Sequence, residues 1–567
     1  MARAVRAGVP PAVVALLAAA APVVAQTPGS SGGSTTAKTP AFAPTFAPVD
    51  PNALSQPAQL NKPPPQHRLS ARQVTRIASA LGAVRRERAK YRRSRPVAFL
   101  KGFDRWQVSY YADKKEIAQV SIADASGSVL EAWTGFKVPW AMARGYPGAF
   151  GRKVNAVYLW LPLSILFVLP FVDPRRPFRW LHLDLLVLSA FSVSLAFFNH
   201  ANIDTSVPLV YPLLGYLLVR MLTIGLRRRR HRHAEPLRLL VPASWLAVAV
   251  VFLMGFRVGL NLVDSNVIDV GYAGVIGADR LVDGSQVYGA FPKDNEHGDT
   301  YGPVTYEAYV PFEQALPWGG RWDGLPAAHA AAIFFDLLCA GLLWLLGRRI
   351  RGPTLGIALA YAWVTYPFTL FLANTNANDG LVAALVVAAL LAAASAPARG
   401  ALAALAGLTK FAPLALAPVF ATHALPRDRR RRVRALALFG GAFAAATAIA
   451  FLPFLGHLDL RTVYDRTVGF QASRGSPFSH WGLYDLKGLQ VAVQVGSVLL
   501  ALAAAVVPRR RDVVGLAAVA AAVLIGLQLG VTHWFYLYIP WFFPLVMVAL
   551  LGRWSEPVRV ARAGAPG

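Results

Sequence analysis

Residues 513–551 read VVGLAAVAAAVLIGLQLGVTHWFYLYIPWFFPLVMVALL, a stretch without aspartate, glutamate, lysine or arginine. A membrane-spanning helix needs about 20 mainly apolar residues, so we predict two spans here, at 513–531 and 534–551. Further spans are predicted at 154–172, 180–198, 208–226, 238–256, 328–347, 354–372, 380–396, 434–453 and 488–507. The sequence therefore predicts a mainly α-helical, polytopic membrane protein with about eleven spans.

The composition supports this fold class. The 567 residues include 57 lysines and arginines against 29 aspartates and glutamates, a formal charge of +28, yet 55% of the residues are hydrophobic. A disordered basic protein is poor in apolar residues, and a soluble globule seldom combines such basicity with such an apolar excess. A membrane protein places apolar helices in lipid and arginines in cytoplasmic loops. We therefore expect membrane lipids, and no nucleic acid, as partners.

Arginine clusters predict the orientation of the spans, because short loops rich in lysine and arginine stay in the cytoplasm. The clusters lie at 175–179, 227–232, 348–351 and 509–511, and in the tail 553–567. The run RDRRRRVR at 427–434 is cytoplasmic only if the apolar segment 400–424 does not cross the membrane fully. We predict that this segment forms two half-helices around Gly407–Lys410 and Pro413, which enter and return on the cytoplasmic side.

The N-terminus has the pattern of an exported protein. Residues 1–26 carry two arginines before a short apolar run and a small-residue site near Ala25, which predicts a signal peptide; an uncleaved anchor helix is the alternative. Residues 27–67 are rich in Pro, Ser, Thr, Ala and Gly and predict a disordered linker. We expect a multi-pass protein of the plasma membrane whose N-terminal domain is extracytoplasmic.

Residues 68–150 predict a small α+β domain. Apolar residues at helical spacing follow Ser70, a candidate N-cap. The stretches WQVSYYA (106–112), EIAQVSIAD (116–124) and SVLEAWTG (128–135) alternate as strands do. The order of helix and strands, with the pattern G-x-V-x-E-x-W-T-G at the end, resembles a PepSY-type domain. Such domains are usually not catalytic.

The outer loop 257–325 contains ten of the 29 acidic residues, and a loop of this length is usually functional. Asp269 lies just after a span, at the start of a predicted surface helix. A carboxylate in this position suits a general base that acts on a hydroxyl, although a simple helix cap is the alternative. Asp264 and Asp299 are rival bases in the same loop.

Polar residues at the outer ends of other spans are further candidates. Tyr272 and Tyr301 are aromatic residues of the loop, whose alternative role is an interfacial belt. Sugar contacts or helix capping explain Asn376, Asn378 and Asp379 equally well. A second outer loop and the last span contribute Gln471, Arg474, His480 and His533. A guanidinium such as that of Arg474 suits phosphate oxygens, with lipid headgroups as the alternative. Lys410 is costly within a membrane, so it is either functional or snorkels to the cytoplasm.

Several of these stretches together resemble a known family. The segments DVGYAG and DGSQVYG, with YGPVTY, NTNANDGL, GLTKFAPLALAP and FQASRGSP, are similar to glycosyltransferase family 87, the mannosyltransferase-like group of the GT-C superfamily. The resemblance covers 205–551 and departs from the family where Val270 and Gly271 follow Asp269, so a paired-acid motif is absent. It implies a catalytic core at 236–552, with accessory helices at 151–235.

The resemblance implies an inverting transfer of a mannose-like hexose from a polyprenyl-phosphate donor to a lipid or cell-envelope glycan acceptor on the outer face. Asp269 is then the base, and Arg474, with His480 or His533 and with Lys410, holds the donor phosphate. Tyr272, Tyr301, Asn376, Asn378, Asp379 and Gln471 are the expected sugar or acceptor contacts. No cofactor or metal is expected, and the single cysteine, Cys339, excludes an intramolecular disulfide.

Two other functions are compatible with the sequence. A transporter or flippase of lipid-linked sugars would use the broken helix at Lys410 as its substrate site, although we find no internal repeat of the spans. A non-enzymatic sensor or scaffold would act through the PepSY-like domain, which leaves the acidic outer loop unexplained.

Overall fold

The computed structural model of the chain describes residues 54–91, 93–102, 104–145, 150–226, 237–507 and 510–553. The predicted signal peptide, most of the predicted linker, the arginines of 227–232 and the tail beyond residue 553 lie outside the described residues. The protein is mainly helical, with a small N-terminal region built on a five-stranded antiparallel sheet.

The N-terminal region contains helices α1 (Ala71–Ala80) and α2 (Gly82–Ala89). The sheet has the order β1-β2-β3-β4-β5, with strands β1 (Leu54–Ser55), β2 (Arg95–Lys101), β3 (Arg105–Ala112), β4 (Lys115–Ala123) and β5 (Val129–Thr134). The three predicted strands are present, whereas β1 falls in the predicted linker and β2 was not predicted. β2 pairs with β3 along its whole length, which the short apolar pattern of RPVAFLK does not reveal.

Ser70 is the N-cap of α1, as predicted. Its hydroxyl accepts from the backbone N–H of Gln73, and the Gln73 side chain accepts from the Ser70 N–H at 2.8 Å. The carboxylate of Asp124 accepts from Trp106 Nε1 at 2.8 Å and from the Arg68 backbone N–H at 2.7 Å. These bonds fix the start of α1 to the sheet, whose buried face includes Val108.

The helical core follows from residue 157 onward. Its helices are α3 (Val157–Val168), α4 (Trp180–Asn199), α5 (Ile203–Leu226), α6 (Ala243–Val263), α7 (Asp269–Val282), α8 (Pro303–Glu307), α9 (Val310–Ala315), α10 (Pro326–Arg351), α11 (Pro353–Thr365), α12 (Pro367–Asn374), α13 (Asp379–Leu391), α14 (Ala396–Thr409), α15 (Ala417–Ala421), α16 (Arg429–Phe451), α17 (Leu460–Tyr464), α18 (Phe470–Ser473), α19 (His480–Leu483), α20 (Lys487–Val506), α21 (Val513–Gly530) and α22 (Ile539–Leu551).

By length and composition, seven helices of the described residues are candidate membrane spans: α4, α5, α6, α10, α16 with the turn that continues it, α20 and α21. The pair α11 and α12, bent by 58°, raises the number to eight. The expected number of about eleven is therefore too high on this criterion. Three predicted spans are instead shorter apolar helices, at Val157–Phe171, Asp379–Leu391 and Tyr536–Leu551. Proline marks two of the breaks: Pro367 starts a new helix after the extended residue Tyr366, and Pro170 lies in the short 3₁₀ turn that follows α3.

The predicted half-helices at 400–424 are present as α14 and α15, joined through Lys410 and a 3₁₀ turn. Arg399, near the start of α14, donates to the carbonyls of Phe420 and His423, after the return. The segment therefore enters and leaves at the same end of the helical core. At its tip, the Thr409 carbonyl accepts from the Gly302 N–H at 3.1 Å.

Candidate functional site

A cavity of about 1230 Å³ lies between the tip of α14, the start of α7, and the ends of α21 and α22. It has the size of a site for a small or medium-sized molecule. Of the predicted site residues, it is lined by Asp269, Tyr301, Asp379, Lys410, Gln471, Arg474 and His533. The remaining wall is largely apolar and includes Leu524, Leu527 and Val531.

Asp269 is the first residue of α7, and its side chain is open to the cavity. Among the described residues no ion pair includes it. Burial of the site raises the pKa of Asp269 above its ordinary value, against the lowering effect of Arg474 and Lys410. The raised pKa makes the Asp269 carboxylate a better proton acceptor than an ordinary aspartate, and none of the described cations forms an ion pair with it.

Packing explains why glycine rather than a second acid lies near Asp269. The Ile268 N–H donates to the Thr375 carbonyl at 3.2 Å, which holds the start of α7 against the turn between α12 and α13. A Cβ atom on Gly271 would lie 2.1 Å from the Asn376 carbonyl oxygen. The close approach therefore excludes any side chain at this position.

Lys410 points into the cavity rather than toward the other end of α14. Its Nζ lies 2.7 Å from Asp379 Oδ1, 5.0 Å from the Tyr301 ring centre and 5.6 Å from that of Trp541. Trp541 Nε1 also donates to Asp379 Oδ1 at 2.8 Å. The snorkelling interpretation of Lys410 is therefore wrong. Asp379 Oδ2 is buried without a hydrogen-bond partner in the described ranges.

Arg474 and His533 both line the cavity and both lie beside Trp140. The Arg474 guanidinium lies 5.3 Å from the Trp140 ring centre and 5.7 Å from that of Phe470, and none of the described carboxylates forms an ion pair with it. Ser476 Oγ lies 2.9 Å from His533 Nδ1. Burial, with Arg474 nearby, lowers the pKa of His533 to about 3. His533 is therefore neutral at pH 7.

The Ser476 hydroxyl is the hydrogen-bond partner of His533 Nδ1. Ser476 Oγ also accepts from the Phe478 backbone N–H at 3.2 Å. When the Ser476 hydroxyl donates to Nδ1, the imidazole proton lies on Nε2. This arrangement gives the wall a neutral N–H donor beside the Arg474 cation.

The chain matches no protein-family model, and no curated protein matches it significantly. The resemblance to glycosyltransferase family 87 therefore remains a prediction. Of the described residues, no group of three or more His, Cys, Asp or Glu side chains is arranged to hold a metal ion.

The two rival bases do not line the cavity. Asp299 is fully buried, and its Oδ2 lies 2.6 Å from Arg466 Nε and accepts from the Gly289 N–H at 2.6 Å. Asp264 follows the end of α6, where its carboxylate lies 3.7 Å from Lys153 Nζ. These contacts connect the loop 257–325 to its neighbours and leave Asp269 as the carboxylate of this trio that faces the cavity.

Other predicted residues also lie elsewhere. His480 packs its ring 4.4 Å from that of Tyr211, outside the cavity lining. Tyr272 donates to Asp294 Oδ2 at 3.2 Å. Asn376 has a left-handed φ of 52° and donates to Ser265 Oγ at 3.1 Å, so it shapes the turn after α12. Asn378 is buried, and neither polar atom of its side chain has a partner in the structure as described.

Sequence reasoning missed the contribution of the segment that follows the N-terminal sheet. Trp140, Met142 and Phe150 line the cavity, and the Trp140 ring lies 5.7 Å from that of His533. Lys137 Nζ donates to the Ala201 carbonyl at 2.8 Å and holds the segment at the end of α4. The only sequence signal was an apolar and aromatic composition without periodicity.

Proposed function

We propose that this protein is an integral membrane glycosyltransferase, which transfers a mannose-like hexose from polyprenyl phosphate to a hydroxyl of a lipid or cell-envelope glycan, with inversion. The observation that carries the proposal is that a candidate base and a candidate anion-binding group line the same cavity. A carboxylate, Asp269, and a guanidinium, Arg474, face the same space, and neither forms an ion pair within the described part of the chain. A base and an anion-binding group are the two parts that this transfer requires.

In the proposed reaction, Asp269 takes the proton of the acceptor hydroxyl. The hydroxyl oxygen forms a bond to the anomeric carbon as the bond from that carbon to the phosphate oxygen breaks. The phosphate leaves with the bonding electron pair, and its developing charge is stabilised by the Arg474 guanidinium and by Nε2–H of His533. The raised pKa of Asp269 favours the proton transfer.

The remaining walls suit the two ends of the donor. The side chains of Leu524, Leu527 and Val531 offer an apolar surface for the start of an isoprenoid chain. Asp379 Oδ2, held in place through the contacts of Oδ1 with Lys410 and Trp541, is left as an acceptor for a sugar hydroxyl. A buried acceptor without a partner is costly, so binding of a hydroxyl there is favourable.

The direct test is Asp269→Asn in the full chain, reconstituted in vesicles with a labelled polyprenyl-phosphate hexose and a mixture of lipid and glycan acceptors. Removal of the base should lower the transfer rate by about 10²- to 10⁴-fold. Asp264→Asn makes the same chemical change outside the cavity lining and should leave the rate near that of the wild type. Full transfer by Asp269→Asn would contradict the assignment of the base.

The pH dependence provides a second measurement on the same variant. Because the pKa of Asp269 is raised, the active carboxylate form should be lost on acidification with a midpoint above the ordinary value of about 3.9. Asp269→Asn should lack this acid limb. A wild-type protein that moves labelled lipid across the vesicle bilayer without forming a glycosidic product would instead support the transporter.

A further inference from the structure

The N-terminal region carries a second, basic cavity, which is separate from the candidate active site. It has a volume of about 820 Å³ and lies between the end of α2, the start of β2 and the turn between β3 and β4. Four arginines and two tyrosines line it: Arg85, Arg88, Arg93, Arg95, Tyr91 and Tyr111. We call this cavity the basic cleft.

The positive charge of the basic cleft is not neutralised from within. Asp113 is the single acidic residue that lines it, and in the described part of the chain none of its four arginines forms an ion pair. Arg88 is fixed by a hydrogen bond from Nε to Ser94 Oγ at 3.0 Å and by its position 5.2 Å from the Tyr110 ring centre. Converging guanidinium groups bind phosphate oxygens well, so the cleft is suited to a phosphate-bearing ligand.

The strand register places the basic cleft at one particular end of the sheet. Tyr111 of β3 pairs with Arg95 of β2 and with Glu116 of β4. Two residues further along β4, Ala118 pairs with Thr134, the last residue of β5. From Thr134 the chain runs directly into the segment that Lys137 fixes to the end of α4. The cleft is therefore at the end of the sheet where the chain enters the helical core, which is the end closest to a membrane around that core.

We propose that the basic cleft binds the phosphate headgroup of an anionic membrane lipid and so docks the N-terminal domain on the membrane surface. The proposal does not depend on the glycosyltransferase activity. It also gives a role to the arginines of this domain, which the orientation of the spans does not explain. An acidic glycan is the competing ligand, but the position of the cleft at the core end of the sheet favours the lipid.

The single cysteine makes a site-specific test possible. Cys339 is fully buried, so Lys114→Cys, in the exposed turn beside Asp113, provides one accessible position for a fluorophore. The labelled full-length chain is placed in nanodiscs that contain equal amounts of phosphatidylcholine and phosphatidylglycerol, one of them spin-labelled near the headgroup. Stronger quenching by spin-labelled phosphatidylglycerol than by spin-labelled phosphatidylcholine is the expected result.

Two matched triple variants identify the groups responsible. Each arginine near an anionic surface contributes about a fivefold factor in binding, so removal of three cleft arginines should abolish the preference for phosphatidylglycerol. The cleft variant is Arg85→Gln/Arg93→Gln/Arg95→Gln. The control, which removes the same charge from exposed positions outside the cleft lining, is Arg68→Gln/Arg72→Gln/Arg76→Gln and should keep the preference.

Four outcomes would overturn the proposal. The first is equal quenching by the two lipids in the wild-type chain, and the second is a preference that survives in the cleft variant. The third is an equal loss of preference in both triple variants, which would show that only the total charge of the domain matters. The fourth is displacement of phosphatidylglycerol by added polygalacturonate or by inorganic phosphate, which would identify a glycan site or a free phosphate site.

Discussion

Two of the buried ion pairs in the described helical core, Arg257–Asp336 and Lys410–Asp379, differ in how many carboxylate oxygens have hydrogen-bond partners. Arg257 of α6 binds Asp336 of α10 through Nη2 at 2.5 Å and through Nε at 2.8 Å, and Trp363 Nε1 donates to Asp336 Oδ1 at 2.8 Å. Both carboxylate oxygens therefore have partners. In the pair of Lys410 and Asp379, Oδ1 accepts two hydrogen bonds, whereas Oδ2 accepts none from the residues that the structure describes.

The difference separates a structural pair from a candidate binding site. Buried polar atoms are nearly always hydrogen-bonded, and an exception calls for an explanation. Arg257 and Asp336 lie outside the cavity lining, whereas Asp379 and Lys410 belong to it. A ligand hydroxyl in the cavity would supply the missing partner of Asp379. We infer that the first pair holds helices together and that the second binds substrate.

Breaking the structural pair should have the largest effect on stability. Asp336→Leu leaves Arg257 buried without its counterion, which should lower the free energy of unfolding by about 3–5 kcal/mol. The double variant Arg257→Met/Asp336→Leu should recover most of that loss, because an apolar pair can replace a buried ion pair. Unfolding of the purified protein in mixed micelles measures both effects.

The double variant of the structural pair is also the functional control. Its transfer rate per folded molecule should equal that of the wild type. A folded Arg257→Met/Asp336→Leu protein without transfer activity would show that this pair, too, belongs to the site, and the distinction between the two pairs would fail.

Replacement of the cavity pair by apolar residues should preserve stability but, unlike the first double variant, should lower the transfer rate. Asp379→Leu/Lys410→Met should unfold at nearly the wild-type free energy, for the same reason as the first double variant. Its transfer rate should fall by about 10²- to 10³-fold, the usual effect of removing a preorganised polar group from a site. The same vesicle assay and micelle titration measure the two quantities. Wild-type transfer would instead show that Asp379 and Lys410 only hold α13 to the tip of α14.

Hydropathy predicted which segments of the core are helical but not where they bend. The apolar stretch 354–372 was expected to be one span, yet Pro367 divides it into two helices at 58°. The re-entrant segment around Lys410 was predicted because the arginines at 427–434 constrain the number of crossings. The positions of the arginines thus predicted a re-entrant segment that the length of the apolar stretch alone does not reveal.

The candidate site was predictable only where one residue type suits one kind of chemistry. Asp269 and Arg474 stood out because a carboxylate and a guanidinium are conspicuous near span ends. The choice between His480 and His533 was not predictable, since it depends on how α19 and the start of α22 pack. The Trp534 N–H donates to the Phe478 carbonyl, His533 lines the cavity, and His480 lies beside Tyr211.

Replacement of Trp140 should have the smallest effect, and it tests whether the segment that follows the N-terminal sheet takes part in the site. Its ring stacks near the Arg474 guanidinium, and such a contact is worth about 0.5–2 kcal/mol. Trp140→Leu should therefore raise the KM for the lipid-linked sugar by about 2- to 30-fold, with kcat nearly unchanged and with rescue by Trp140→Phe. The control Trp245→Leu replaces an exposed tryptophan of α6 and should change neither constant. If Trp140 had only a structural role, its replacement would lower the amount of folded protein without raising KM. An unchanged KM would therefore show that Trp140, in the segment after the N-terminal sheet, does not take part in substrate binding.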